Sequence, residues 1–327
     1  MGQIRRSRWG RSQGAVLAGL ALVAVTVLAG CAAPSAPSPS RTEPLRFGVT
    51  TPGGPRAGGE LDEVARLVGE EPTLVLSYAD FSSPPPLADL EAVAARGATP
   101  VLTWEPWDWS APDGGRVTLR GIAAGDHDSY LREWAVALRD WGGPVHLRFA
   151  HEQNGDWYPW AVGVDGTTAA DHVAAWRHLH QVFHEVGAGN VEFMWNPNMR
   201  YPGSSPLADT WPGARYVDRV AVDGYNWGTV PGGAGWQSPA ELFDGTLREL
   251  RELAPGMPIT VAEVGCAEAG GDKAAWIRDL VAYLDRQPDV AAFVWFEHSK
   301  ETDWRIASSP AAAGAMREAL AGRWGVR

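Results

Sequence analysis

With 327 residues, 45% of them hydrophobic and 20% charged, the chain has the make-up of a globular protein built on one large domain, which excludes disorder and coiled coil for its bulk. Its 39 acidic residues outnumber 28 basic ones, for a formal charge of −11, and an acidic surface is a poor match for nucleic-acid phosphates. Two cysteines are too few for a disulfide framework, whereas 17 tryptophans give the chain an excess of flat aromatic surface.

The N-terminus reads as a targeting segment. Arg5, Arg6, Arg8 and Arg11 precede an apolar run from Ala15 to Leu28, and Leu28-Ala29-Gly30-Cys31 closes the run with small residues before a cysteine. The run is short of the ~20 residues that a membrane span needs. The closing tetrapeptide resembles the lipobox of bacterial lipoproteins, which implies loss of residues 1–30 and a lipid on Cys31; an ordinary signal peptide with an unmodified Cys31 is the competing reading. Without the four arginines the balance is 24 basic against 39 acidic residues, or −15. Residues 31–44 are rich in Pro, Ser and Ala and read as a tether. The expected product is an extracytoplasmic, membrane-anchored monomer whose folded domain, residues 45–327, holds Cys266 as a lone buried thiol.

From residue 46 onward, eight short apolar runs read as strands: 46–51, 73–81, 99–106, 145–152, 191–198, 217–226, 258–266 and 290–298. Between them, residues 61–70, 87–97, 130–142, 170–187, 239–253 and 272–287 carry apolar residues at three- and four-residue spacing, the period of amphipathic helices, and several stop at glycine. Strands alternating with helices predict parallel βαβ units. Eight of them predict an α/β fold of the (β/α)8 TIM-barrel type as a single catalytic domain. A doubly wound sheet is the alternative, weakened because no glycine-rich phosphate loop follows the first strand.

Polar and aromatic residues collect at the C-terminal strand ends: Trp104 and Glu105; His151, Glu152 and Asn154; Trp195, Asn196 and Asn198; Asp223 and Tyr225; Glu263; Trp295, Glu297 and His298. In a barrel these ends share one face, where active sites are built. Two carboxylic acids across a glycosidic bond are the usual minimum for its hydrolysis, and Glu152 and Glu263 are the candidates. In the stretch RFAHEQNGDWYPW, Asn154 can bind a hydroxyl or brace the loop, while Trp157 and its aromatic neighbours offer flat faces to sugar rings. Glu105 and Glu297 read as supporting or subsite acids, Glu268 as a loop charge, and Asp303 with Arg305 as a structural ion pair. His180 and His184 sit four apart on a helix without a carboxylate ligand. A solvated face is the simpler reading there, and no metal or cofactor is expected.

HLRFAHEQNGDWYPW, VAEVGC and WFEHSKETDWRI together resemble glycoside hydrolase family 26, the β-mannanase family of a retaining (β/α)8 clan, over roughly residues 46–310. The resemblance implies that Glu152 is the general acid/base and Glu263 the nucleophile. It also implies that His151 supports the acid, Tyr225 bonds the nucleophile, and Trp295 forms a platform beneath the sugar. Trp104 and Trp195 are further candidate substrate contacts. At His298 the resemblance leads one to expect Asn. The expected function is a retaining endo-β-glycosidase acting on β-1,4-mannan or a related β-linked polysaccharide. The alternatives are an inactive surface glycan-binding lipoprotein, or the same chemistry on mixed-linkage β-glucan or β-1,3-xylan.

Overall fold

The computed structural model describes residues 42–111 and 117–325; the signal segment, Cys31 and most of the tether lie outside the described residues. The strands are β1 (Arg46–Thr50), β2 (Leu74–Asp80), β3 (Thr99–Glu105), β4 (Val145–Phe149), β5 (Val191–Trp195), β6 (Arg219–Asn226), β7 (Ile259–Cys266) and β8 (Val290–Phe296). Each pairs in parallel with the next, and β8 pairs with β1, closing the barrel. All eight predicted strands are present, most of them shorter at the C-terminal end, where the chain leaves the ladder to build the barrel mouth.

The helices are α1 (Gly58–Val68), α2 (Leu87–Ala95), α3 (Leu119–Ala124), α4 (Asp128–Trp141), α5 (Ala169–Val186), α6 (Leu207–Thr210), α7 (Pro239–Leu253), α8 (Lys273–Asp285) and α9 (Pro310–Ala321). Their boundaries follow from local chemistry. Thr168 with Asp171, and Ser238 with Glu241, form capping boxes that satisfy the first free N–H groups of α5 and α7. Left-handed glycines, Gly142 after α4 and Gly187 after α5, stop helices where a side chain would be strained. Helices α3, α6 and α9 escaped the periodicity reading because the first two are short and the third buries a face built largely of alanine: Ala312, Ala313 and Ala315, with Met316 and Leu320.

The pleat sorts each strand into two faces. Leu74, Leu76, Val101, Met194, Ala221, Ala262, Ala292 and Val294 fill the lower lumen as a cluster of their own. Residues of opposite parity, among them Leu102, Trp104, Phe149, Phe193, Trp195 and Trp295, pack outward into the larger core against the helices. Above the apolar lumen layer, the inward positions turn polar: Thr103, Arg148, Asn196, Asp223 and Glu263 are all buried. That upper layer is the floor of the candidate site.

Candidate active site

Strand β4 stops at Phe149, so Glu152 lies past the strand and not at its end as the sequence suggested. The turn that carries it is unusual: Ala150 has φ 45° and Glu152 φ 54°, left-handed backbone adopted by residues with side chains. Each such residue costs on the order of 1–3 kcal/mol and persists only where neighbours hold it. Here the neighbouring strands do so, through Ala150 N–H to the Trp104 carbonyl (3.1 Å) and Glu152 N–H to the Asn196 carbonyl (2.7 Å). The turn swings the Glu152 carboxyl over the mouth. There Oε1 accepts from Asn198 Nδ2 at 2.5 Å and Oε2 from the Trp157 indole at 2.7 Å.

Glu263 arrives by a different device. On β6, Val222 and Asp223 are consecutive, but their partners on β7 are Val261 and Glu263, so Ala262 is an extra residue and β7 carries a bulge. Strict alternation would put Glu263 on the outward face with Ile259 and Val261; the bulge returns it to the lumen. Its Oε1 accepts from the Tyr78 hydroxyl (2.8 Å) and the Arg148 guanidinium, and its Oε2 from the Tyr225 hydroxyl (2.5 Å). Arg148, fully buried on the inward face of β4, also donates to Thr103 Oγ1 (2.8 Å) and Asp223 Oδ2 (2.7 Å).

The electrostatics separate the two glutamates. Burial first, then the negative charge of Glu263, push the Glu152 carboxyl from 4.5 up to about 7, against the opposing hydrogen bonds from Asn198 and Trp157. A group in that range can give a proton near neutrality and take one back. His151 is buried, with its ring 4.9 Å from that of Tyr158 and 5.8 Å from that of Trp160. Burial, then the positive charges of Arg148 and Lys300, hold it well below the usual histidine range, so it is a neutral imidazole. Asp223 is raised by burial despite its guanidinium partner. Among the described residues, His151, Glu152 and Asp223 are the set whose donor atoms come within 4.8 Å of one another. Arg148 donates to Asp223 of this set and to Glu263 beside it, so its guanidinium charge is shared between two carboxylates.

Glu152 and Glu263 open into a cleft of about 1020 Å³ whose walls include Trp107, Trp109, Trp157, Tyr158, Tyr201, Trp227, Phe296 and Trp304. A model of the family described as "Glycosyl hydrolase family 26" matches residues 126–262, which include β4, the Glu152 turn and the first half of β7, ending one residue before Glu263. Over 246 residues the chain is 39% identical to Endoglucanase H of Acetivibrio thermocellus, a match covering 74% of this chain and 26% of that protein. The chain belongs to glycosyl hydrolase family 26. It is also 27% identical over 179 residues to mannan endo-1,4-beta-mannosidase A and B of Caldalkalibacillus mannanilyticus, covering 52% of this chain and 32% of that one. The chain thus spans about a quarter to a third of these curated relatives. The GH26C protein of Muricauda sp. shares the fold with a TM-score of 0.65 at 17% identity, over 85% of this chain and 86% of that one.

For a family 26 chain, the aromatic residues hold the main differences from expectation. Trp104, Trp195 and Trp295 are fully buried and do not line the cleft. All three have outward parity: Trp104 stacks on Trp134 of α4 at 4.1 Å, Trp195 meets Trp211, and Trp295 meets Trp276 of α8. The β8 residue that faces the cleft is Phe296, two positions from the lumen residue Val294. Trp157 does line the cleft, half-exposed, with its indole N–H on Glu152. Asn154 is buried and braces the loop: its Nδ2 donates to the Asn198 carbonyl (2.9 Å) and its Oδ1 accepts from Asn198 N–H (2.8 Å). It therefore positions Asn198, which touches the acid.

Other acids found structural work. Glu105 accepts from both Trp107 and Trp109 indoles, and Glu297 accepts from Ile306 and Ala307 N–H. His298 stacks on Phe296 at 4.2 Å and meets Thr50 Oγ1 at 3.3 Å. Asp303 and Arg305 do pair, at 2.6 Å. His180 packs against Phe193 and Tyr216 and is not simply solvated. The sequence reading missed Arg148 and Tyr78, although a charged residue of lumen parity inside an apolar strand was a visible signal for the first.

Proposed function

We propose that this chain is a retaining endo-β-glycosidase that hydrolyses β-1,4-mannan or a related β-linked polysaccharide by double displacement. The observation that carries the reading is the unequal treatment of two facing glutamates. Glu152 is held protonated up to about pH 7 by burial and by the charge of Glu263, as a general acid must be. Glu263 presents its carboxylate to Arg148, Tyr78 and Tyr225, which fix it for attack on the anomeric carbon. In the first step Glu263 would form a glycosyl ester while Glu152 protonates the departing oxygen. In the second, water deprotonated by Glu152 would cleave the ester with net retention. The cleft walls carry Glu105, Asp156 and Glu301 against Lys300, which suits a neutral glycan better than an anionic one.

The relatives named above act, by their names, on glucan and on mannan, and a beta-1,3-xylanase of Vibrio sp. is 27% identical over 125 residues. A reducing-end assay on mannan, mixed-linkage glucan and β-1,3-xylan separates these backbones. The mechanism is tested by two variants. Glu263→Ala is expected to be inactive on every substrate. Glu152→Ala is expected to lose polysaccharide hydrolysis yet release dinitrophenol from an activated aryl glycoside, with azide accelerating turnover and yielding a β-glycosyl azide. Wild-type hydrolysis by both variants would exclude this chemistry, and absence of turnover by the wild type would leave glycan binding as the function. We further propose that a lipid on Cys31 anchors the domain to the outer side of a bacterial membrane. Recovery of Cys31→Ala from the membrane fraction at wild-type levels would exclude that.

A further inference from the structure

We propose that Lys273 is a positioning residue for the nucleophilic half of the site: its buried ammonium gathers the backbone of Asp303, Trp304 and Arg305 and so sets the indole against which Tyr225 is held. The proposal rests on the glycosidase reading of Glu263. Lys273 Nζ donates to the carbonyls of Asp303 (3.2 Å), Trp304 (3.1 Å) and Arg305 (2.8 Å) and to Ser308 Oγ (2.8 Å). Trp304 stands on the cleft wall, its ring 5.0 Å from that of Tyr225 and 5.0 Å from that of Trp227. Tyr225 in turn donates to Glu263 at 2.5 Å. Between Tyr225 and Trp304 lies Gly265, where a Cβ would stand 3.0 Å from Tyr225 Cδ1 and 3.1 Å from Trp304 Cε3, so the two rings leave no room for a side chain.

A lysine here carries a cost: the residue is 1% exposed and its hydrogen-bond acceptors are all neutral, and the charge is offset only through space, by the Glu268, Asp303 and Glu297 carboxylates and by the Trp295 ring 5.9 Å away. Lys273 also occupies the first position of α8, where the helix dipole disfavours a cation. The chain carries two lysines in all, so this one is not drawn from an abundant type. An ammonium does what an apolar residue of the same length cannot: it binds three successive carbonyls at once and fixes the path of the loop that follows β8.

The test uses the full chain. Lys273→Met is expected to slow the pre-steady-state burst of dinitrophenol from dinitrophenyl β-mannobioside or β-cellobioside roughly 10- to 100-fold, with KM within about 3-fold of wild type. Lys273→Gln keeps two N–H donors and should recover part of that loss, and Ser308→Ala should show a smaller one. In a Tyr225→Phe background, adding Lys273→Met should cost less than about 2-fold more, because both act through the same contact. A folded Lys273→Met or Lys273→Gln enzyme with a wild-type burst rate would overturn the proposal, as would losses that multiply in the double variant. If Lys273→Met does not fold, Lys273→Gln and Ser308→Ala answer the same question. A substrate-free arm follows the indole N–H resonances of Trp304 and Trp227 by NMR in Lys273→Gln. Moved resonances with no turnover by any form would sink the glycosidase reading alone; unmoved resonances would sink the positioning role whatever the turnover.

Discussion

Replacing Glu152 with glutamine tests the electrostatics of the site without any knowledge of the substrate. In the folded protein this carboxyl keeps its proton up to about pH 7, whereas in the unfolded chain it titrates near its ordinary 4.5. Between those values the folded state binds more protons than the unfolded state, so stability falls as pH rises through the window. The interval corresponds to about 3 kcal/mol, the cost of charging a buried carboxyl beside Glu263. Glutamine cannot ionise and escapes that cost. It does bring a fixed penalty, because its amide meets Asn198 Nδ2 or the Trp157 indole, both donors, but that penalty does not vary with pH. The quantity to follow is therefore the stability of Glu152→Gln minus that of wild type, from urea unfolding between pH 4 and 8. It should be flat below about 4.5, climb by about 3 kcal/mol and level off above about 7, equivalent to roughly 6 °C in thermal midpoint for a domain this large. A difference that stays constant across the range, or declines with pH, would refute the argument that burial and Glu263 hold the proton.

Asn198→Ala removes a donor that favours the charged form of Glu152, so the basic limb of kcat/KM should move up by about one pH unit; a limb that stays or moves down counts against Asn198 as a partner of the acid. Gly265→Ala inserts a methyl against Tyr225 and Trp304 and should destabilise the fold by about 1–3 kcal/mol. Its kcat should drop more than its KM rises, and wild-type kinetics would show that the two rings can yield. Trp295→Phe should lower the thermal midpoint and leave KM unchanged, whereas Phe296→Ala should raise KM, because only the second faces the cleft. The opposite pattern would restore Trp295 as a substrate platform.

Much of this architecture is visible in the sequence because a parallel barrel repeats one local rule eight times. Each strand is an apolar run, each helix an amphipathic one, and polar residues fall where the strand meets the mouth. Residue positions along the strands are legible in the sequence; side-chain directions follow only from the parity of each strand. Trp104, Trp195 and Trp295 lie at strand ends, which drew them into the predicted site, yet the pleat assigns each to the face opposite its lumen neighbour: Thr103, Asn196 and Val294 point in, so the tryptophans point out. Parity also speaks for Arg148, which shares the face of Thr103 and donates to it at 2.8 Å. Helix α9 stayed hidden because alanines carry its buried face and leave little periodic contrast.

The two glutamates themselves are where regular structure is broken, and parity arguments fail there for a physical reason. A regular β7 would bury Glu263 behind the barrel, among the apolar side chains that pack the helices; one extra residue, Ala262, reverses it into the lumen. A regular extension of β4 would carry Glu152 along the strand axis; two left-handed residues fold it instead across the mouth. Neither break is encoded by a glycine or proline that a sequence reading could flag, since Ala150, Glu152 and Ala262 all have side chains. Both are imposed by neighbours: the Trp104 and Asn196 carbonyls take the N–H groups of the turn, and the β6 ladder pairs across the bulge. Tertiary contacts thus hold both carboxyls in place, with strained backbone on the Glu152 side, and the same burial that fixes their directions raises the proton affinity of Glu152. Relaxing either break would therefore displace a carboxyl and change its chemistry together, which is why substitutions in the strands beside them, more than in the loops above, are the ones expected to alter rate and pH dependence at once.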